Sequence, residues 1–250
     1  MKNTALFAMC ISIFVVLTAC KKNDPAVENF KFPFKVGNQW TYKRTQDIRH
    51  VIAIDANKSI HDTTIVSEVH IILNEYTEDT GMKSIQLAST AGYRTCYSYY
   101  LNLNDALVSI IAGNAGLDNS DLFPHDLDKF FCNTIFRPKN LLKSALSQSD
   151  YYKVAVLKYP LEVNSKWTCD PLKNITKEVT GFEKIIFNST SYDSYKLEYT
   201  YLKDSTAKTV DYISKIGLIK REVFINQIGV DGKGYGDYYE TWELIDYNLK

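Results

Sequence analysis

The sequence predicts an α+β fold, mainly antiparallel β-sheet, with a short helical insertion at about residues 104–149. Three observations predict it. Tyr is abundant, at 18 of 250 residues, while Gly and Pro are ordinary; such a chain is ordered and rich in strands. Apolar and polar residues alternate with period 2 in residues 40–102 and again in 175–250. Between these stretches the apolar spacing changes to i, i+3, i+4.

The first stretch supplies four strands, at about 40–53, 63–76, 83–90 and 93–102. In the second of them Ile65, Val69, Ile71 and Leu73 share one face and Glu68 and His70 the other. The expected arrangement buries the apolar set and leaves Glu68 and His70 in solvent. In the insertion, Asn104 or Asp105 can cap a helix carrying Leu107, Ile110 and Ile111. Asp126 can cap a second with Leu127, Phe130 and Phe131, and Asn140 a third with Leu142, Ala145 and Leu146. The narrow apolar stripes would pack on a sheet. Residues 175–250 then read as a meander of about five strands. One of these, SYDSYKLEYTYLKD, alternates Tyr195, Leu197, Tyr199 and Tyr201 with polar partners.

One phrase is written twice. Residues 32–42 read FPFKVGNQWTY and residues 159–169 read YPLEVNSKWTC. Pro33 and Pro160 hold each segment extended and outside a central ladder. Val36 and Val163 read as apolar anchors. Gly37 and Asn164, the residue types that best tolerate positive φ, imply a tight turn at one place in both copies. Trp40 and Trp167 then open a strand with a large buried side chain. The repeated frame favours core packing over a sugar-binding Trp, and it suggests two related β halves.

The N-terminus reads MKNTALFAMCISIFVVLTACKK. Its apolar run, residues 5–19, is short for a membrane span and suits the core of a signal peptide. Leu17-Thr18-Ala19-Cys20 resembles the bacterial lipobox. That resemblance implies cleavage after Ala19 and a mature chain that begins at a lipidated Cys20. Acyl chains would hold it on a membrane. Lys21, where Asp would favour inner-membrane retention, implies the outer membrane, with the periplasmic or surface face left open. Residues 20–29 form a polar tether and residues 30–250 a single β-rich domain. FPFKVGNQWTY itself resembles the opening of small uncharacterised lipoproteins of Bacteroidota, where Pro-Leu-x-x-Gly-x-x-Trp-x-Tyr follows the tether. YPLEVNSKWT, SYDSYKLEY and YISKIGLIKRE resemble later stretches of some of them. The resemblance implies a lipoprotein with a β-rich fold and carries over no catalytic residue.

Composition narrows the function. Without residues 1–19 the chain has 28 basic and 29 acidic side chains, a net charge of −1. No general electrostatic drive toward nucleic acid follows from that balance. Cys96, Cys132 and Cys169 remain after Cys20; none makes a C-x-x-C pair, so a structural metal site is not expected, and free buried thiols are the simpler reading. Neither G-x-S-x-G nor H-E-x-x-H occurs. Residues 55–59 imitate the start of a calcium loop, but Ile60 and Val66 stand where Gly and Glu are needed. No cofactor is expected. Tyr93, Tyr97 and Tyr99 share a strand face, and with Phe130 and Phe131 they form the candidate ligand-binding set. The expectation is a non-enzymatic, lipid-anchored envelope module that binds a hydrophobic or glycan ligand or an envelope protein. A strongly curved sheet would resemble the half-barrel lipoprotein carriers of the envelope. A hydrolase of envelope polymers is the alternative, and it needs His61, Glu68 and His70 to converge with a further group.

Overall fold

A computed structural model describes residues 30–53, 62–77, 83–112, 151–170, 174–201, 207–230 and 234–250. Among them the fold is all β, which corrects the α+β expectation. Twelve strands follow in chain order: β1 (Gln39–Ala53), β2 (Asp62–Thr77), β3 (Lys83–Ala91), β4 (Arg94–Asn102), β5 (Ala106–Ala112), β6 (Tyr151–Lys158), β7 (Lys166–Asp170), β8 (Ile175–Phe187), β9 (Thr190–Tyr201), β10 (Ala207–Ser214), β11 (Gly217–Val230) and β12 (Gly234–Asn248). The expected first helix is overturned where it can be seen, because its Leu107 and Ile110 lie on β5. ALVSIIA is a short apolar run in which the adjacent Leu107 and Val108 are both buried, and such a run satisfies a helical stripe and a strand equally well. The other two helices, with Phe130 and Phe131, fall outside the described residues.

All neighbouring strands pair antiparallel, in the order β6-β5-β4-β3-β2-β1-β12-β11-β10-β9-β8-β7. The meander closes between β1 and β12, and its two free edges, β6 and β7, lie against each other. A nearly closed up-and-down barrel results. Side chains bridge the seam. The Trp167 indole donates to the Ala155 carbonyl at 2.9 Å, and the Lys177 ammonium donates to the Val156 carbonyl at 2.8 Å. Val156 is the extra residue of a bulge, since Leu107 pairs with Leu157 and Val108 with Ala155. The bulge releases that carbonyl from the ladder, and Lys177 satisfies it.

The doubled phrase is a structural repeat. The Asn38 N–H donates to the Lys35 carbonyl at 3.0 Å, and the Ser165 N–H to the Glu162 carbonyl at 2.9 Å. Gly37 (φ 88°) and Asn164 (φ 72°) occupy the same place in the two turns. Each turn docks on the following strand in the same way. Gly37 N–H donates to Ile72 and Ile72 N–H to Asn38; Asn164 N–H donates to Val179 and Val179 N–H to Ser165. A bulge follows Ile72 in β2 and another follows Val179 in β8. Trp40 and Trp167 are both buried, as the repeated frame implies. Val36 and Val163 are both exposed, which corrects their reading as anchors. The turn hydrogen bonds hold the chain there, so no apolar contact is needed.

The inner face is not the one the β2 pattern implies. Glu68, His70 and Ile72 point into the barrel, while Ile65 and Leu73 are exposed. Charged partners inside make the polar set the buried one. The outer surface is uneven. β9–β12 turn Lys196, Glu198, Lys208, Lys220, Glu222 and Glu243 outward, joined in pairs such as Lys196–Glu198 and Lys220–Glu222. A lipid-facing barrel would carry an apolar band there, so these strands face water. Across β2–β4 the outward positions within Thr63–Ile71, Ser84–Thr90 and Thr95–Leu101 hold Thr, Ile, Ser, Val, Gln, Ala, Tyr and Leu, and none of these outward positions is charged.

Candidate functional site

The charged side chains that the sequence reading passed over meet inside the barrel. Cross-strand pairing puts Arg44 of β1 beside Trp242 of β12, Trp242 beside Arg221 of β11, and Arg221 beside Asp211 of β10. One row of the inner face thus reads Arg, Trp, Arg, Asp. The Arg44 guanidinium carbon lies 5.1 Å from the Trp242 ring centre and that of Arg221 lies 5.8 Å from it. Two cations share one indole.

Each guanidinium has its own carboxylate. Arg221 grips Asp211 with two bonds, Nε to Oδ1 at 2.6 Å and Nη2 to Oδ2 at 2.8 Å, and the Tyr199 hydroxyl donates to Oδ2 at 2.5 Å. Burial alone would raise the Asp211 pKa, but the Arg221 charge and these bonds outweigh it and hold the carboxyl below its ordinary value. Glu240 receives five hydrogen bonds: two from Arg44 (3.0 and 2.7 Å), and one each from Gln46 (3.0 Å), Tyr238 (2.6 Å) and Trp242 (2.5 Å). Burial raises its pKa too, and Arg44, then the Tyr238 and Trp242 donors, more than reverse that.

Glu68 and His70 do come together, as Glu68 Oε1 lies 2.9 Å from His70 Nε2. They lie inside rather than on a solvated face, which corrects that expectation. Arg44 Nη1 approaches Glu68 Oε2 at 3.6 Å, and that oxygen has no hydrogen bond. The His70 ring packs edge-on to Tyr42 and Trp242, with centres 5.1 and 5.5 Å apart. His61 falls outside the described residues. Among those residues no group of three metal-ligating side chains occurs.

Lys177 completes the interior. Its ammonium sits 4.3 Å from the Tyr199 ring centre and donates to Val156. Burial lowers its pKa to about 8. Cys169, on the neighbouring strand, is a free buried thiol whose pKa burial raises. Arg44, Arg221 and Lys177 therefore stand against Glu68, Asp211 and Glu240. Asp211 and Glu240 are held below their ordinary carboxylate range and supplied with donors, so neither of these two is poised to exchange a proton near neutral pH.

The candidate tyrosines lie elsewhere. Tyr93 sits on the β3–β4 turn and is 91% exposed. Tyr97 and Tyr99 point to the outer face of β4, and the buried Tyr99 hydroxyl accepts from Gln86 at 2.9 Å. Phe130 and Phe131 fall outside the described residues. The sequence did hold a signal for the interior: a single charge in mid-strand between apolar alternates, as in Ile219-Arg221-Val223 and Tyr238-Glu240-Trp242.

Strand order and interior define the class: an up-and-down antiparallel barrel, nearly closed, filled by ion pairs and aromatic rings. No family model matches the chain, and no curated protein matches it. A solved structure similar to it is a domain from Vibrio parahaemolyticus, provisionally assigned as an outer membrane lipoprotein-sorting protein, with a TM-score of 0.22, 10% identity and 86% of each chain covered.

Proposed function

We propose that this chain is a lipid-anchored protein of the bacterial cell envelope, acylated on Cys20 and held at the outer membrane, whose barrel is a non-enzymatic docking module for an envelope protein. The lipobox-like Leu17-Thr18-Ala19-Cys20 supports the anchor. One observation carries the docking reading: the outward faces of β2–β4 bear no charge, while those of β9–β12 bear Lys and Glu in successive rows. Ile65, Ser67 and Thr95 are exposed there, Val69, Ile71, Thr90 and Tyr97 are half-buried, and Tyr93 stands at the margin; Ser84, Gln86, Ala88 and Tyr99 on the same outward positions are buried, so the accessible part is β2 and the β3–β4 turn end. Interfaces are depleted of charge at their centre and enriched in Tyr. The interior, where Arg44 holds Glu240 and Arg221 holds Asp211, favours docking over carriage of a ligand inside the barrel.

Two measurements test this together. A photo-crosslinker at Ser67 should capture a discrete envelope protein in cells, and one at Lys220 should not. Native mass spectrometry of residues 24–250 should give the bare mass. Equal capture at both positions, or a reproducible adduct lost on denaturation, would replace docking with a carrier role.

A further inference from the structure

One end of the barrel carries a rim of exposed aliphatic side chains. The meander places the lead-in (residues 31–38), the β4–β5 turn, the β6–β7 link, the β8–β9 turn and the C-terminus at that same end. There Val36, Leu103 and Val163 are exposed, and Ile186 is 76% exposed. Two bulges add to the rim. Leu73 is the extra residue between the Ile72↔Leu87 and Asn74↔Gln86 pairs, and Ile245 the extra one between Thr41↔Asp246 and Tyr42↔Leu244. Both are exposed. Elsewhere among the described residues the exposed large apolar side chains are Ile65, Tyr93 and Tyr235.

The rim residues are not overflow from the core. Phe34, Trp40 and Tyr100 fill this end from within, with Phe34 and Tyr100 ring centres 4.9 Å apart, and the Trp40 indole donates to the Ile216 carbonyl. Exposed apolar side chains gathered at one end mark a contact surface. The chain also enters the barrel here, through residues 31–35. The ten residues 20–29 span at most about 35 Å when fully extended. A lipid on Cys20 therefore keeps this end, and the rim with it, near the bilayer surface.

We propose that this end of the barrel rests on the lipid surface, with its aliphatic rim in the headgroup region. The proposal rests on the lipid-anchor reading for its geometry. Charge does not drive the contact. Exposed Lys31, Lys35, Lys158, Lys184, Lys215 and Lys250 at this end are interspersed with exposed Asp105, Glu162, Glu183, Asp193 and Asp246. Zwitterionic lipid should therefore suffice, and salt should matter little.

The test holds residues 21–250 by an N-terminal histidine tag on phosphatidylcholine vesicles that contain nickel-chelating lipid and nitroxide-labelled lipid. This tether does not depend on acylation. A fluorophore is placed on Val163→Cys or on Tyr93→Cys, in a background lacking Cys96 and Cys132. The fluorophore at 163 should be quenched at least twofold, and the one at 93 should be unchanged. Leu103→Cys serves as a second rim position if Val163→Cys does not fold. Val36→Asp with Ile186→Asp should abolish the quenching, while 0.5 M salt should leave it in place. Flotated protein with no quenching at 163 and 103, or with equal quenching at 93, overturns the proposal. Quenching at 163 that is lost as protein density on the vesicle rises would assign the rim to a second copy of the chain and also overturns it. Incorporation of labelled palmitate into the full chain, and its loss in Cys20→Ser, tests the anchor separately, and failure there leaves the rim result intact.

Discussion

The backbone N–H of Phe32 donates to the hydroxyl of Tyr159 at 3.1 Å, and the two residues hold the same place in the doubled phrase, 127 positions apart. The repeat therefore meets itself at the lead-in end of the barrel. Each Trp of the phrase also reaches into the other half: Trp40 donates to Ile216 at 2.6 Å and Trp167 to Ala155 at 2.9 Å. Six strands follow each copy of the turn, β1–β6 and β7–β12, and both sets run in the same order around the barrel. Two such units, each with a free edge, remove most of their exposed edges by closing on each other.

Gly217 is the position where this contact leaves least room. A Cβ there would lie 2.6 Å from Trp40 Nε1, at a φ of +111°. Gly217→Ala should lose about 3 kcal/mol of stability, from a strained backbone and a displaced indole. Gly92, at φ +58° with nothing within 4 Å, is the control. Gly92→Ala should lose about 1 kcal/mol. Urea midpoints of both variants check the difference, and equal losses would show that the Trp40 contact is immaterial.

Glu240 and Asp211 set the acid limit. Their folded pKa values lie below the ordinary ones. Each therefore adds stability that is complete above about pH 4.3, the ordinary carboxylate range, and is lost as pH falls through the folded value. Glu240→Gln leaves Arg44 buried without its charge partner and should lose about 3–5 kcal/mol at pH 7. It should also flatten the acid limb of a stability curve measured from pH 7 to 2. An unchanged limb would place acid sensitivity elsewhere.

Lys177 has the opposite sign. Burial lowers its pKa from 10.5 to about 8, so between those values the unfolded chain binds more protons. Stability should then rise with pH from about 8 toward 10, with a full effect on the order of 3 kcal/mol. Above pH 10 the buried tyrosines oppose it, since burial raises their pKa and their contribution is lost as pH climbs. Lys177→Met should abolish the rise between pH 8 and 10 in chemical denaturation. A rise that survives the substitution would assign it to another group.

Cys169 is buried, and its thiol is harder to ionise than usual. With Cys96 and Cys132 replaced by Ser, a thiol reagent should react with Cys169 at least a hundredfold more slowly in the folded protein than in urea. Comparable rates would mean that the β7 edge opens readily.

Much of the β architecture was legible in the chain. Strands β1–β4 and β8–β12 announced themselves through alternation, and the paired turns at Gly37 and Asn164 through their residue types. The helical reading of Leu107, Ile110 and Ile111 failed because a short apolar run fits both periods, and pairing with β4 and β6 decides between them. The face of β2 was misread for a related reason. Alternation says that one face is buried but not which one when the interior is ionic. By itself the sequence determined the strand-rich chain, the twin turns and a lipobox-like start, because each is a local property of residue type and spacing. Only tertiary structure decided that Glu68 and His70 point inward and that Arg44, Trp242, Arg221 and Asp211 form one row, because those neighbours come from strands up to about 200 residues apart and are set by register around a closing barrel.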